Sequence, residues 1–520
     1  MKFKKIFPLL LSATLLICIT ACGESPSSST SSENMSNLIE NNTEESSMQT
    51  TSQDNNSESH GCEHTIVTDP AIAPTCTETG LTEGKHCEKC ALVFIEQKEI
   101  PTIEHVFDSE LCALCGYILP SEGLSYKLSN DKSYYIVVGK GICDSTYISI
   151  PAMYNGLPIK EIGENAFYEE NIVAVTIPGS VTIIAQGAFY GCSSLKHVTL
   201  ANGLESIGEY SFMATSLNTI EIPASVSTIS DRAFTSSKLE EVTLHSGLRT
   251  IGLGAFGDTK LKEIYVPETV TELGTYAFAR CEELIEVSLE NGITAINEGT
   301  FDGCSKLTKI NFPSSLSEIG ANAFQDSGLI ELILPDYITT IGGKAFQNCV
   351  NLETVVINTE NIGSAEQTWY GDEDAVFRGC SNLKTVVIGD QTKTIGCSAF
   401  YECYALEHVT IGKNVEIIGE NAFTSCKRFK TINLPNTLKT IGRKAFSNCN
   451  DLQYLIIPQS VETVGEAIFE FCDSLGNIYC EATEKPDGWS QNWLDSHYRK
   501  EYTAYWGNEW EYIDGSIIMK

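Results

Sequence analysis

Eight residues able to bind a metal or form disulfides crowd between positions 62 and 115: Cys62, His64, Cys76, Cys87, Cys90, His105, Cys112 and Cys115. Cys87/Cys90 and Cys112/Cys115 have Cys-x-x-Cys spacing. Each such pair is a knuckle that can set two thiolates on one tetrahedral ion. Six cysteines and two histidines are enough for two closed zinc sites, with His86 to spare. Three disulfides are the rival chemistry for an exported module. Either role is structural, because a site closed by four protein ligands leaves no position for a substrate. Beyond this stretch the chemistry thins out. His197, His245, His408 and His497 stand apart from one another. There is no His-Glu-x-x-His, no Gly-x-Ser-x-Gly and no phosphate-binding glycine loop. No enzyme is expected.

Nine more cysteines obey a different rule. Cys192, Cys281, Cys304, Cys349, Cys380, Cys403, Cys426, Cys449 and Cys472 each follow a phenylalanine by three residues. That phenylalanine recurs fourteen times from Phe167 to Phe469, at intervals of 22 or 23 residues with one exception. A fixed period of this size means a solenoid, whose units bury their apolar faces only by stacking. The unit FKTINLPNTLKTIGRKAFSNCN, residues 429–450, shows the pattern. Phe429, Ile432 and Leu434 alternate with polar Thr431 and Asn433, the period of a half-buried strand. Pro435 ends the strand, Leu438 and Ile441 turn inward, Gly442 permits a bend, and Ala445-Phe446 lies on a short helical or irregular turn. A cysteine at one place in every coil stacks on its copies and behaves as a small buried apolar group. Ser237, Asp258 and Asp326 stand at or near that place in other coils, which a required disulfide would forbid. Cys143, Cys397 and Cys480 have no evident role.

The unit LxxVxIPxxVxxIGxxAFxxCxx resembles the leucine-rich repeat of BspA-like surface proteins, over about residues 123–480. Tyr126-Lys127-Leu128, Tyr134-Tyr135-Ile136-Val137 and ISIPAMYNGLPIKEIG before the repeats, and IYCEATEKPDGWSQNWLDS after them, resemble the family's flanks. The resemblance implies an α+β repeat solenoid, right-handed, with one parallel strand per 22–23-residue coil. It also implies a cell-surface role in adhesion and in binding extracellular or host proteins. The text APTCTETGLTEGKHCEKC resembles zinc-ribbon-like modules found beside repeats in bacterial surface proteins. By that pattern His64, Cys76, Cys87 and Cys90 form one zinc site, and His105, Cys112 and Cys115, with Cys62, form a second.

The N-terminus addresses the chain. Lys2, Lys4 and Lys5 precede an apolar run to Ile19, and small residues then lead to Cys22, a signal sequence with what looks like a lipobox. Cys22 is the expected lipidation site, and the lipid is the expected membrane contact. The layout reads as a signal peptide at 1–22, a Ser/Asn/Glu-rich tether at 23–59 and a Cys/His module at 60–118. An N-terminal cap at 119–163, the solenoid at 164–480 and a C-terminal cap at 481–520 follow. The tether is too polar to fold. The net charge of −34 argues against nucleic acid, whose phosphates need a basic patch. The chain is expected to be a monomer.

Strand alternation points to the ligand-binding surface. Residues on either side of each strand's central apolar position face outward. An acidic stripe of Glu221, Glu241, Glu263 and Glu286 is expected to stack along this face, with Tyr265 and Glu331 nearby. Val356, Val387, Tyr454 and Ile456 are expected to be exposed apolar positions. One interval, Phe346 to Phe377, is 31 residues long, and its excess carries Trp369 and Tyr370. Such aromatics on a surface loop suit an interface anchor. Two other functions fit: a structural spacer of the cell envelope, or a glycan-binding accessory module.

Overall fold

A computed structural model of the chain describes residues 64–75, 78–103, 119–364, 375–496, 501–513 and 516–520, and the backbone of 107–108 and 111–112. Two compact units separate: residues up to Pro70 with Glu83–Gln97, and Ala71–Thr82 with Lys98–Lys520. In the first, Ile66–Asp69 runs antiparallel to Gly84–Cys87, which also pairs with Val93–Ile95. A tight turn links the last two strands, with Ala91 N–H donating to Cys87 O and Ala91 in the left-handed region.

The second unit is a solenoid of parallel strands. It differs from the expected α+β architecture in two ways. No helix occurs among the described residues, and each regular coil carries two strand segments rather than one. The first is the expected alternating strand, such as Glu263–Val266, paired in register with Glu286–Leu289. The second has only two residues, such as Thr250–Ile251, which lies between Thr228–Ile229 and Glu272–Leu273. Glycine follows most of the short strands, though Ala185, Ser230 and Asn297 stand there in three coils, and its neighbours crowd it closely. A Cβ on Gly442 would sit 2.4 Å from Glu420 N in the preceding coil.

The third side of the coil explains why there is no helix. Around Phe234, Arg232 N–H donates to Leu253 O, Phe234 N–H to Ala255 O and Ser236 N–H to Gly257 O, all in the next coil. The intervening N–H groups of Ala233, Thr235 and Ser237 close local turns onto Ser230 O, Arg232 O and Phe234 O. Every second amide is therefore spent between coils, and a helix would need all of them along its own axis. Arg232 and Ser236 adopt positive φ, and so do residues two before and two after most of the repeat phenylalanines. The phenylalanine rings are fully buried and stacked, with centroids 5.2 Å apart at Phe167–Phe189 and 5.4 Å at Phe400–Phe423. The stack runs unbroken through the long coil, with Phe346 and Phe377 at 5.3 Å, so the extra residues leave the core undisturbed.

The thiol ladder is more than an apolar column. Each cysteine is a buried thiol whose Sγ donates to the carbonyl of the phenylalanine one coil back, as Cys426 does to Phe400 O at 3.2 Å and Cys449 to Phe423 O at 3.2 Å. The coils without cysteine carry Glu170, Thr215, Ser237, Thr259 or Ser327 at this place, whereas Asp258 and Asp326 sit one residue earlier, in the left-handed region. Thr215 and Thr259 donate to the phenylalanine of their own coil instead, Phe212 O and Phe256 O. The choice follows the length of the link. Where cysteine stands, the next strand's leading apolar residue comes six positions after the phenylalanine; where threonine or serine stands, it comes five positions after.

Both ends are covered. Ser125–Leu128 and Tyr135–Gly139 form a hairpin laid on Leu157–Ile162, with Tyr126, Tyr135 and Tyr154 in ring contact. At the far end Thr503–Trp506 adds a parallel strand to Asn477–Cys480, and Trp489 and Trp493 close the core.

Candidate functional site

The candidate ligand surface is the face formed by the longer strands. Two residues of each strand, on either side of the buried centre, point outward in separate columns. The first column brings Glu263 beside Glu286, and Glu286 beside Lys309, whose Nζ reaches its carboxylate at 3.3 Å. Glu241 occupies the same column. Glu221 does not: it pairs with Thr243 in the second column and contacts His245 Nε2 at 3.0 Å. The expected four-residue acidic stripe is therefore shorter and ends on a cation, which eases the like-charge cost at Glu286. Glu331 lies next to Thr354.

The second column changes character along the molecule. Tyr265 is 52% exposed and Ile333 57% exposed. Ile333, Val356 and Val387 lie in direct register on three adjacent strands, forming a continuous apolar row that ends at Thr410. Val356, Val387, Tyr454 and Ile456 are half-buried rather than exposed, because neighbouring strands shield them.

Residues 429–433 form no strand, so the sheet ending at His408–Thr410 does not continue to Tyr454–Ile457. Phe429 stands where other coils place leucine. Its buried ring meets Phe423 and Phe446 edge-on at 6.2 and 6.4 Å. The local ring spacing widens to 5.7 Å between Phe423 and Phe446. A groove of about 700 Å³ opens here, lined by Glu407, His408, Thr410, Arg428, Lys430, Thr431, Asn433 and Asp451. Its two cations, two carboxylates and imidazole suit a polar peptide better than an apolar small molecule. The sequence showed His408 only as an isolated histidine and gave no sign of Glu407, Arg428, Lys430 or Asp451 as its neighbours. The available signal was Phe429 in a leucine position.

In the small unit, His64, Cys87 and Cys90 come together, with their donor atoms all within 4.8 Å of one another. Cys90 Sγ lies 3.4 Å from His64 Nδ1. Cys87 is shielded from solvent, but only thinly; burial raises its thiol pKa, yet hydrogen bonds from His64 and from backbone N–H groups of Cys90 and Lys89 bring it down to about 6. His86, one residue away on the strand, instead pairs with Asp69 Oδ2 at 2.8 Å. Cys22, Cys62, Cys76, His105, Cys115, Trp369 and Tyr370 lie outside the described residues. Cys112 is placed by its backbone on the short strand Leu111–Cys112.

The profile of the BspA type leucine rich repeat region matches residues 160–285, 273–368 and 373–485, in six copies. The chain belongs to this family. Among solved structures, a leucine-rich repeat protein from Bacteroides ovatus is 24% identical, with 75% of this chain and 99% of that one covered and a TM-score of 0.58. This likeness shows the fold. A leucine rich cell surface protein from Faecalibacterium prausnitzii is 24% identical over 76% of this chain and 99% of that one, with a TM-score of 0.35. The pneumococcal vaccine antigen PcpA is 22% identical over 70% and 87%, with a TM-score of 0.39. Comparison with curated proteins finds no match. The family's repeat accounts for the strands, the buried phenylalanines and the outward columns; it assigns no role to the unit holding His64, Cys87 and Cys90.

Proposed function

We propose that this chain is a surface-exposed, lipid-anchored binding scaffold of a bacterial cell, and that the outward face of its longer strands takes a protein ligand. The observation that carries the reading is the apolar row of Ile333, Val356 and Val387, continuous across three strands on an otherwise polar sheet. An apolar strip that is open at Ile333, half-buried at Val356 and Val387, and flanked by charged residues has the make-up of an interface core and its rim. The groove around His408 and Arg428 adds directional polar contacts. The anchoring part of the reading rests on the basic and apolar leader and on Cys22. The chain works by presenting a surface, and no chemical step is assigned to it.

Binding of residues 119–520 to panels of extracellular-matrix proteins and of glycans tests this. Micromolar or tighter binding to a protein, weakened at least about tenfold by Ile333→Asp, is expected, since a central interface anchor carries about 1.4 kcal/mol or more. Binding confined to glycans would favour the accessory-module reading, and no binding at micromolar concentration would favour a spacer. Radioactive palmitate should label the full chain but not its Cys22→Ala variant.

A further inference from the structure

We propose that His64, Cys87 and Cys90 hold a zinc ion that organises the small N-terminal unit, independently of whatever the solenoid binds. The first reason is the shape of the donor set. A tetrahedral zinc with Zn–S of about 2.3 Å and Zn–N of about 2.0–2.1 Å holds sulfur and nitrogen about 3.5 Å apart. Cys90 Sγ and His64 Nδ1 stand 3.4 Å apart, and Cys87 Sγ completes a triangle with no side above 4.8 Å. Two thiolates and an imidazole are a zinc donor set, too soft for calcium or magnesium.

The second reason is what the unit lacks. Among the described residues of 64–70 and 83–97, only Gly84 and Cys87 are buried. Val93, Phe94 and Ile95 are all exposed. A set of short strands with so little core needs a staple to hold its geometry. Cys87 ends one strand, Cys90 sits in the turn after it, and His64 precedes the first strand. One ion at the triangle ties all three segments. A Cys87–Cys90 disulfide would close only a four-residue loop and leave His64 unused, so it would stabilise little.

The third reason is local support. The His64 ring packs edge-on against Phe94 at 5.5 Å, which fixes its plane with Nδ1 directed at the thiols. His86 is held elsewhere by Asp69, so it does not compete.

The full chain, reduced and purified without chelator, should contain zinc by elemental analysis. Cys87→Ser and Cys90→Ser should each lower the content by about one ion per chain, while His86→Ala should leave it unchanged. Because a serine variant could lose metal simply by unfolding, the deciding measurement uses cobalt in place of zinc. Cobalt should give tetrahedral visible bands and a thiolate charge-transfer band, and His64→Cys should keep the metal while strengthening the charge-transfer band. Unchanged zinc in Cys87→Ser, an unaltered cobalt spectrum in His64→Cys, or a metal-free chain with Cys87 and Cys90 two hydrogens lighter would each overturn the assignment.

Discussion

Replacing Cys426 tests whether the thiol ladder links coils or merely fills space. Cys426 is fully buried and donates at 3.2 Å to Phe400 O, which already accepts Cys403 N–H at 3.3 Å. Cys426→Ala removes one buried atom, about 1 kcal/mol, and one weak hydrogen bond, about 0.5 kcal/mol, for a loss near 1.5 kcal/mol. The carbonyl keeps its other donor, so no polar group is orphaned. Cys426→Ser looks milder but should cost more. The hydroxyl oxygen sits closer to Cβ than sulfur does and falls short of the preceding coil, as at Ser237, where the buried hydroxyl has no partner. A buried, unsatisfied hydroxyl costs about 1–3 kcal/mol on top of the lost contact. Cys426→Thr combined with deletion of Lys427 recreates the five-residue link of the Thr259 coil. There the hydroxyl donates to its own phenylalanine at 2.8 Å, and most of the loss should return. Amide exchange within this coil is the assay, because a repeat array need not unfold as one unit. A serine variant as stable as the wild type would refute the argument, as would a threonine variant indifferent to the deletion.

Burial lifts two ladder thiols from an ordinary value of 9.0, Cys281 to about 11 and Cys192 to about 12. The folded state thus holds these protons more tightly than the unfolded chain. Their contribution is complete below about pH 9 and should be lost as pH rises through 11 to 12. Melting temperature measured from pH 8 to 11.5 should fall, and fall less in a Cys192→Ala/Cys281→Ala variant. Glu470 keeps a carboxylate only 4% exposed, 2.8 Å from Lys444 Nζ. Lys444→Met should destabilise by about 3 kcal/mol in urea, and Glu470→Gln on top should recover much of it; an additive pair would sink the idea. Phe429→Leu should let residues 430–433 join the ladder, which slows their amide exchange and closes the groove beside His408. Unchanged exchange would mean that the phenylalanine is not what parts the strands.

The long strands and the phenylalanine stack were legible because both have simple periods. The two-residue strands were not, since Thr440–Ile441 is too short to show an alternation. Nor were the left-handed turns. Sequence flags such turns through glycine or asparagine, yet Tyr210, Arg232 and Lys344 adopt them here because the stacked amides hold them there. That is also why a helical turn was expected where none forms. Cysteine was read as a filler because its type was considered and its spacing to the next strand was not; five residues or six would have told the hydroxyl coils from the thiol coils. The convergence of Cys87 with Cys90 was visible in their spacing. The groove was not read, because its one signal, Phe429 in a leucine position, fits the apolar pattern as well as leucine does.

The sulfur rungs all point one way, each donating back to the coil before it, so the stack has a head and a tail. At the tail, Phe469 O has no cysteine to follow it, and the Tyr502 hydroxyl supplies the missing donor at 2.7 Å while its ring covers Phe469. Thr503–Trp506 likewise occupies the edge of Asn477–Cys480. A chain cut after Cys480 would end in a bare aromatic face, a waiting carbonyl and an open strand edge, the features that draw other chains into aggregates. Residues 481–520 thus act as a terminator: the final acceptor of the sulfur ladder and the last strand edge of the stack are already taken.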